Sequence, residues 1–126
     1  MDFPWFLEGF PDYNGMELEK AEKDRAVVRL HIGEMSKNPL GIVHGGALYT
    51  MADCAATVAA HTDGRHYVTQ GSTMHYLRSP REGTIRAVGE VVHRGRGTCI
   101  LRTELRDGEK TLLALGEFTF FCLDRA

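Results

Sequence analysis

From Gly46 to Ala59 apolar side chains occupy almost every side of a helical wheel, while from Tyr67 to Phe121 they tend to alternate with polar ones. At about 100° per residue, Ala47, Leu48, Met51, Ala52, Ala55, Ala56, Val58 and Ala59 leave one narrow polar stripe. That stripe is Gly46, Thr50, Asp53 and Thr57. A helix apolar nearly all round belongs in a core, and a charge on it costs stability unless a polar group meets it. Strand-like segments surround it at Met16–Ala21 (weak), Ala26–Ile32, Tyr67–Leu77, Thr84–His93, Thr98–Arg106 and Thr111–Phe121. Arg106-Asp107-Gly108-Glu109 predicts a tight hairpin between the last two, because Asp-Gly tolerates positive φ. Within an amino-terminal aromatic segment, 1–14, residues 3–10 are aromatic and apolar (Phe3, Trp5, Phe6, Leu7, Phe10) and predict a short helix or flap. The pattern is that of an α+β protein, one long central helix wrapped by a curved antiparallel sheet of about six strands. Long open edges of such a sheet favour pairing with a second copy.

The chain of 126 residues has no repeat or linker and reads as a single domain, 1–126. Its net charge of −2 argues against a polyanion or membrane surface as partner; Arg94-Gly95-Arg96 is too isolated to suggest nucleic acid. Cys54, Cys99 and Cys122 have no metal-like spacing and leave one thiol over in any disulfide scheme. They read as reduced cysteines of a cytoplasmic protein. The amino-terminal residues lack the pattern of a secretory signal, and no apolar run reaches the roughly 20 residues of a membrane span. His31, His61, His66, His75 and His93 show no metal-ligand pattern, and no phosphate-binding glycine loop is present. No metal or cofactor is expected.

The run Asn38-x-x-Gly41-x-x-His44-Gly45-Gly46, seven residues before Asp53, is followed by Tyr76-Leu-Arg-Ser-Pro80 and His93-Arg-Gly-Arg96. This combination resembles the hotdog-fold acyl-CoA thioesterases, in particular the PaaI-like branch associated with phenylacetate degradation. The resemblance runs from about Gly15 to Phe121. Ser79 departs from the commoner Leu-Arg-Pro run, so the loop after that strand differs in detail. The resemblance implies hydrolysis of an acyl-CoA, with coenzyme A present only as part of the substrate. It also implies active sites at a dimer interface, and a homotetramer built as a dimer of dimers.

Thioester hydrolysis needs a donor for the carbonyl oxygen and a base or nucleophile. Gly46 lies in the first helical turn, where N–H groups lack intrahelical acceptors and the dipole is positive. It would serve as oxyanion donor; the alternative is that Gly45 and Gly46 only permit a tight turn. Asp53 would be the nucleophile or the general base, the alternative being a carboxylate paired with a cation. Seven residues of helix separate the two by about 10.5 Å. One thioester carbonyl cannot reach both within a subunit, so a shared site and an inactive monomer are expected.

His44 either orients the thioester or caps the helix, and Asn38 either contacts the reacting centre or holds its turn. Thr57 is placed to bond the carboxylate or water. Thr69 aligns with a family Ser or Thr that assists the same site. Both threonines have the alternative of bonding backbone carbonyls. Arg78, Arg94 and Arg96 would hold coenzyme A phosphates, the alternative for each being surface charge. Phe3, Trp5, Phe6, Phe10 and Tyr49 offer an apolar lining for an aromatic or medium-chain acyl group. Two competing activities share this fold: an enoyl-CoA hydratase or dehydratase, and a non-catalytic acyl-CoA-binding module. The first needs a His–acid pair, and His44 and Asp53 lie about 180° apart round the helix. The second fits poorly with a retained Asp53.

Overall fold

A computed structural model describes residues 6–124. Helix α1 (Phe10–Tyr13) leads into β1 (Met16–Glu22) and β2 (Arg25–His31). A 3-10 turn at Glu34–Ser36 and a loop precede the long helix α2 (Gly45–His61), followed by β3 (Tyr67–Tyr76), β4 (Thr84–Arg94), β5 (Thr98–Arg106) and β6 (Leu112–Cys122). The strands form one antiparallel sheet in the order β1-β2-β4-β5-β6-β3, curved around α2. This is the hotdog architecture that the sequence pattern predicts.

Every strand begins and ends within a residue of its expected bounds. The amino-terminal helix is later than expected, beginning only at Phe10, while Phe3 and Trp5 lie outside the described residues. The β5–β6 connection also differs from the tight Asp-Gly turn. It spans 107–111 and is organised by the Asp107 side chain, which accepts from the N–H groups of Glu109 and Thr111 at 2.9 Å each. Lys110 takes the positive φ of 67°, and Gly108 does not. An aspartate whose carboxylate gathers backbone donors stabilises a longer loop than the glycine alone suggests.

Helix α2 lies close to the sheet because both surfaces are small. Ala52, Ala55, Ala56 and Ala59 are fully buried. On β4 the residue beneath them is Gly89, where a Cβ would stand 2.8 Å from the carbonyl carbon and oxygen of Ala55. Phe118, Phe120, Leu101, Leu105, Ile85 and Val28 complete the core.

The carboxyl end of α2 is tied down by polar contacts. His61 is buried; its Nδ1–H donates to the Thr57 carbonyl at 2.7 Å, and its Nε2 accepts from the Tyr67 N–H at 3.1 Å. Burial pushes its pKa down, which suits the neutral ring these bonds require. Arg94 donates to the carbonyls of Ala59 and Ala60, to the Tyr67 hydroxyl and to Asp24. It also pairs with Asp63 at 2.7 Å. Burial opposes ionisation of Asp63, but bonds from Tyr67 and Arg65 and the charge of Arg94 outweigh it and bring its pKa to about 2.

Strand β3 pairs with β6 alone, and its residues beyond Tyr67 are largely solvent-exposed. The register slips at Gln70, between Thr69 and Gly71. Side chains three residues apart on a regular strand face opposite ways. The extra residue of this bulge turns Thr69 and Ser72 to the same side, toward α2. Thr69 reaches Asp53 there, and Ser72 reaches Tyr49, one helical turn before Asp53.

Candidate active site

The amino end of α2 begins after a β-bridge between Lys37 and Val43 that closes the Asn38 turn. Asn38 Oδ1 accepts from the N–H of Leu40 at 2.9 Å and of Ile42 at 3.4 Å. The Asn38 carbonyl oxygen thus shapes this turn, one of its two expected roles. His44 is the helix N-cap, and its Nδ1 accepts from the Gly46 N–H at 2.8 Å. The donor expected to be free is thus occupied by the neighbouring histidine. An accepting Nδ1 leaves the neutral ring protonated at Nε2, so His44 presents an N–H of its own.

Asp53 sits mid-helix and partly buried, and its Oδ1 accepts from the Thr69 hydroxyl at 2.9 Å. Among the described residues no cation pairs with it. Burial raises its pKa and the Thr69 bond pulls it partway back. Cys54 beside it is pushed up to about 12 by burial and by the charge of Asp53, so it is no nucleophile at neutral pH.

Thr57 corrects one expectation. Its hydroxyl donates to the Asp53 backbone carbonyl at 2.7 Å and not to the carboxylate. Thr50 does the same about two turns earlier, donating to Gly46 O at 2.9 Å. A helical threonine has this acceptor at hand four residues back, and both take it.

The arginines need a second correction. Arg94, a candidate phosphate ligand, is spent on the end of α2 and on Asp24 and Asp63. Arg78 and Arg96 are exposed, but they lie past opposite ends of β3, about 30 Å apart along a strand of that length. They cannot hold one coenzyme within a single subunit.

A cavity of about 550 Å³ opens beside the amino end of α2. His44, Gly46, Tyr49 and Thr50 form one wall, with Phe10, Met16, Met35, Lys37 and Tyr76 opposite. Phe10 and Tyr49 thus lie where an acyl lining is expected. Phe6 does not; its ring packs 4.4 Å from His61, at the other end of the helix. Asp53 does not line this cavity. Within one subunit the carboxylate and the Gly46–His44 cavity are separate, as their spacing along the helix requires.

Sequence reasoning missed Ser72, Lys37 and the bulge. Gly71 inside a strand pattern was the one available signal, since an isolated strand glycine often marks a bulge.

Comparison with known proteins agrees with this geometry. Residues 40–114 match the Thioesterase superfamily. The chain is 29% identical to a 1,4-dihydroxy-2-naphthoyl-CoA hydrolase of Listeria monocytogenes, over 88% of this chain and 93% of that protein. It is 28% identical to the acyl-coenzyme A thioesterase PaaI of Escherichia coli, over 80% of this chain and 73% of that protein. A hypothetical thioesterase of Streptococcus pneumoniae TIGR4, solved with coenzyme A, superimposes with a TM-score of 0.83 at 29% identity. That match covers 89% of this chain and 92% of the other. With the matched span running through the His44-Gly45-Gly46 cap, Asp53 and strands β3, β4 and β5, the chain belongs to the thioesterase superfamily, enzymes that hydrolyse thioesters.

Proposed function

We propose that this protein is an acyl-CoA thioesterase acting as a dimer with two shared sites, on an aromatic or medium-chain acyl group. One observation carries the reading. A partly buried carboxylate without a cation, held by a hydroxyl from the adjacent strand, shares a helix face with a capped, cavity-lined amino terminus too distant to meet it. Two antiparallel copies of α2 bring the carboxylate of one subunit to the amino end of the other. The exposed edge of β3 is where they join.

In such a site Asp53 either removes a proton from water or attacks the carbonyl carbon itself. The carbonyl oxygen displaces His44 Nδ1 from the Gly46 N–H, and His44 Nε2–H becomes a second donor. With water attacking, its oxygen bonds the carbonyl carbon, the C–S bond breaks and the acid leaves as carboxylate; with Asp53 attacking, C–S cleavage leaves a mixed anhydride on Asp53, which water then hydrolyses to the free carboxylate. On either route one proton of the water ends on the sulfur of coenzyme A and the other is released. Antiparallel β3 edges also bring Arg78 of one subunit and Arg96 of the other to the same end. There the two together suit the phosphates of one coenzyme. The CoA complex of the pneumococcal thioesterase and the CoA hydrolase names among the relatives support the substrate class.

The test is free-thiol release from a panel of acyl-CoAs, followed by subunit mixing. Asp53→Asn and His44→Ala are each expected to be nearly inactive as homodimers. Random mixing makes half the dimers heterodimers with one intact site, so about a quarter of wild-type activity should return. No recovery on mixing, with heterodimers shown to form, would place the whole site in one subunit.

A further inference from the structure

Among the described residues of one subunit, the lining of the cavity at the amino end of α2 holds one lysine and no carboxylate. Its lining of Phe10, Met16, Met35, Ala47, Tyr49 and Tyr76 is apolar or aromatic; Asn14, His44, Gly46 and Thr50 add neutral polar groups. Lys37 supplies the charge, and its side chain is only 25% exposed. Its backbone is fixed by the bridge to Val43. Its ion-pair partner, Glu34, stands 3.5 Å away and is 93% exposed, so solvent screens most of that attraction. A lysine whose side chain is three-quarters covered, with so weak a counter-charge, is free to pair with an anion from the cavity side. The positive end of α2 opens on the same space.

The acyl group itself is the natural source of that anion. The cavity is within the usual size of a small-ligand site. Its apolar walls suit a chain or ring between the thioester at Gly46 and the ammonium. We infer that Lys37 selects acyl groups whose far end carries a carboxylate, the half-thioesters of dicarboxylic acids, over acyl groups of equal length ending in methyl. This rests on the assignment of the cavity to the acyl group made above.

Adipyl-CoA, hexanoyl-CoA and acetyl-CoA compared on the wild type, Lys37→Met and Lys37→Arg separate the alternatives. The wild type should favour adipyl- over hexanoyl-CoA by about tenfold or more in kcat/KM. Lys37→Met should bring that ratio close to one, and Lys37→Arg should restore most of it. A wild-type ratio near one overturns the inference, as does a ratio that Lys37→Met leaves intact. An equal rise in KM for all three esters, acetyl-CoA included, would place Lys37 on the coenzyme phosphates instead. If no ester is turned over, thioesterase activity fails separately, and adipate against hexanoate binding followed by NMR on the same variants still decides the role of Lys37. Tighter adipate binding lost in Lys37→Met supports it, and equal binding overturns it.

Discussion

Thr69 holds Asp53 from β3, an edge strand of the sheet: its hydroxyl donates to Oδ1 at 2.9 Å, from the position just before the bulge. Removing the bond acts on the titration of the carboxylate. Burial raises the Asp53 pKa, and Thr69 opposes that rise. The acid limb of the kcat/KM profile should therefore lie above the ordinary value of 3.8. Thr69→Ala should move it further up, and Thr69→Ser should leave it near the wild type. A pH–rate series on the three proteins checks both, and a downward move in Thr69→Ala would contradict the assignment.

The same carboxylate bears on stability. A folded-state pKa above the unfolded one means stability present below the unfolded pKa and lost as pH rises through the folded one. At pH 7 burial of the Asp53 carboxyl is therefore a cost to stability. Asp53→Asn should melt higher than the wild type at pH 7, with the gap closing as the pH falls below about 4. Thermal unfolding at the two pH values, beside the expected loss of turnover, would display a stability–activity exchange at one position.

His44 combines two roles that a substitution can separate. Serine at an N-cap also accepts from the N–H two or three residues on. His44→Ser should keep the melting temperature within a few degrees, whereas His44→Ala should lose about 1 kcal/mol. Both should lose about a hundredfold in kcat, because neither supplies an N–H at the cavity. Full activity in His44→Ser would reduce the histidine to a cap.

How much of this was legible in the sequence differs from residue to residue. The wrapped helix was, because an all-apolar wheel amid alternating segments has few other solutions. The distance between Gly46 and Asp53 was also, since a helix fixes it. Thr57 was not, because a helical threonine chooses between a partner in space and a carbonyl four residues back, and sequence shows only the second. Arg94 was misjudged for a related reason. Its position after a strand looks exposed, and only the fold brings Asp24, Asp63 and the end of α2 around it. The bulge at Gln70 changes which side every later residue of β3 faces, and Gly71 alone did not fix its place.

Arg94 therefore belongs to folding. Arg94→Gln takes from Asp63 one of its charged partners and from the last carbonyls of α2 a side-chain donor, a loss of about 1–3 kcal/mol for hydrogen bonds to a charged group. Chemical denaturation should show that loss. Whatever folded protein remains should keep the wild-type KM for its CoA ester; a large KM increase would return Arg94 to the coenzyme site.

Thr103 gives a prediction of opposite sign. It is fully buried on β5, and among the described residues its hydroxyl has no hydrogen-bond partner. Valine has nearly the same shape without the unsatisfied group, so Thr103→Val should stabilise by about 1 kcal/mol. A denaturation midpoint that fails to rise would mean that the hydroxyl is hydrated.

The two ends of α2 are anchored very differently. At the carboxyl end His61, Arg94, Asp63 and Tyr67 bind helix to sheet; the amino end rests on one histidine cap beside an open cavity. Changes in the loop at 33–43 or in α1 thus fall far from the polar network that ties down the carboxyl end of the helix. Such a division leaves substrate choice free to drift through those segments over evolutionary time while the scaffold is conserved at the opposite pole.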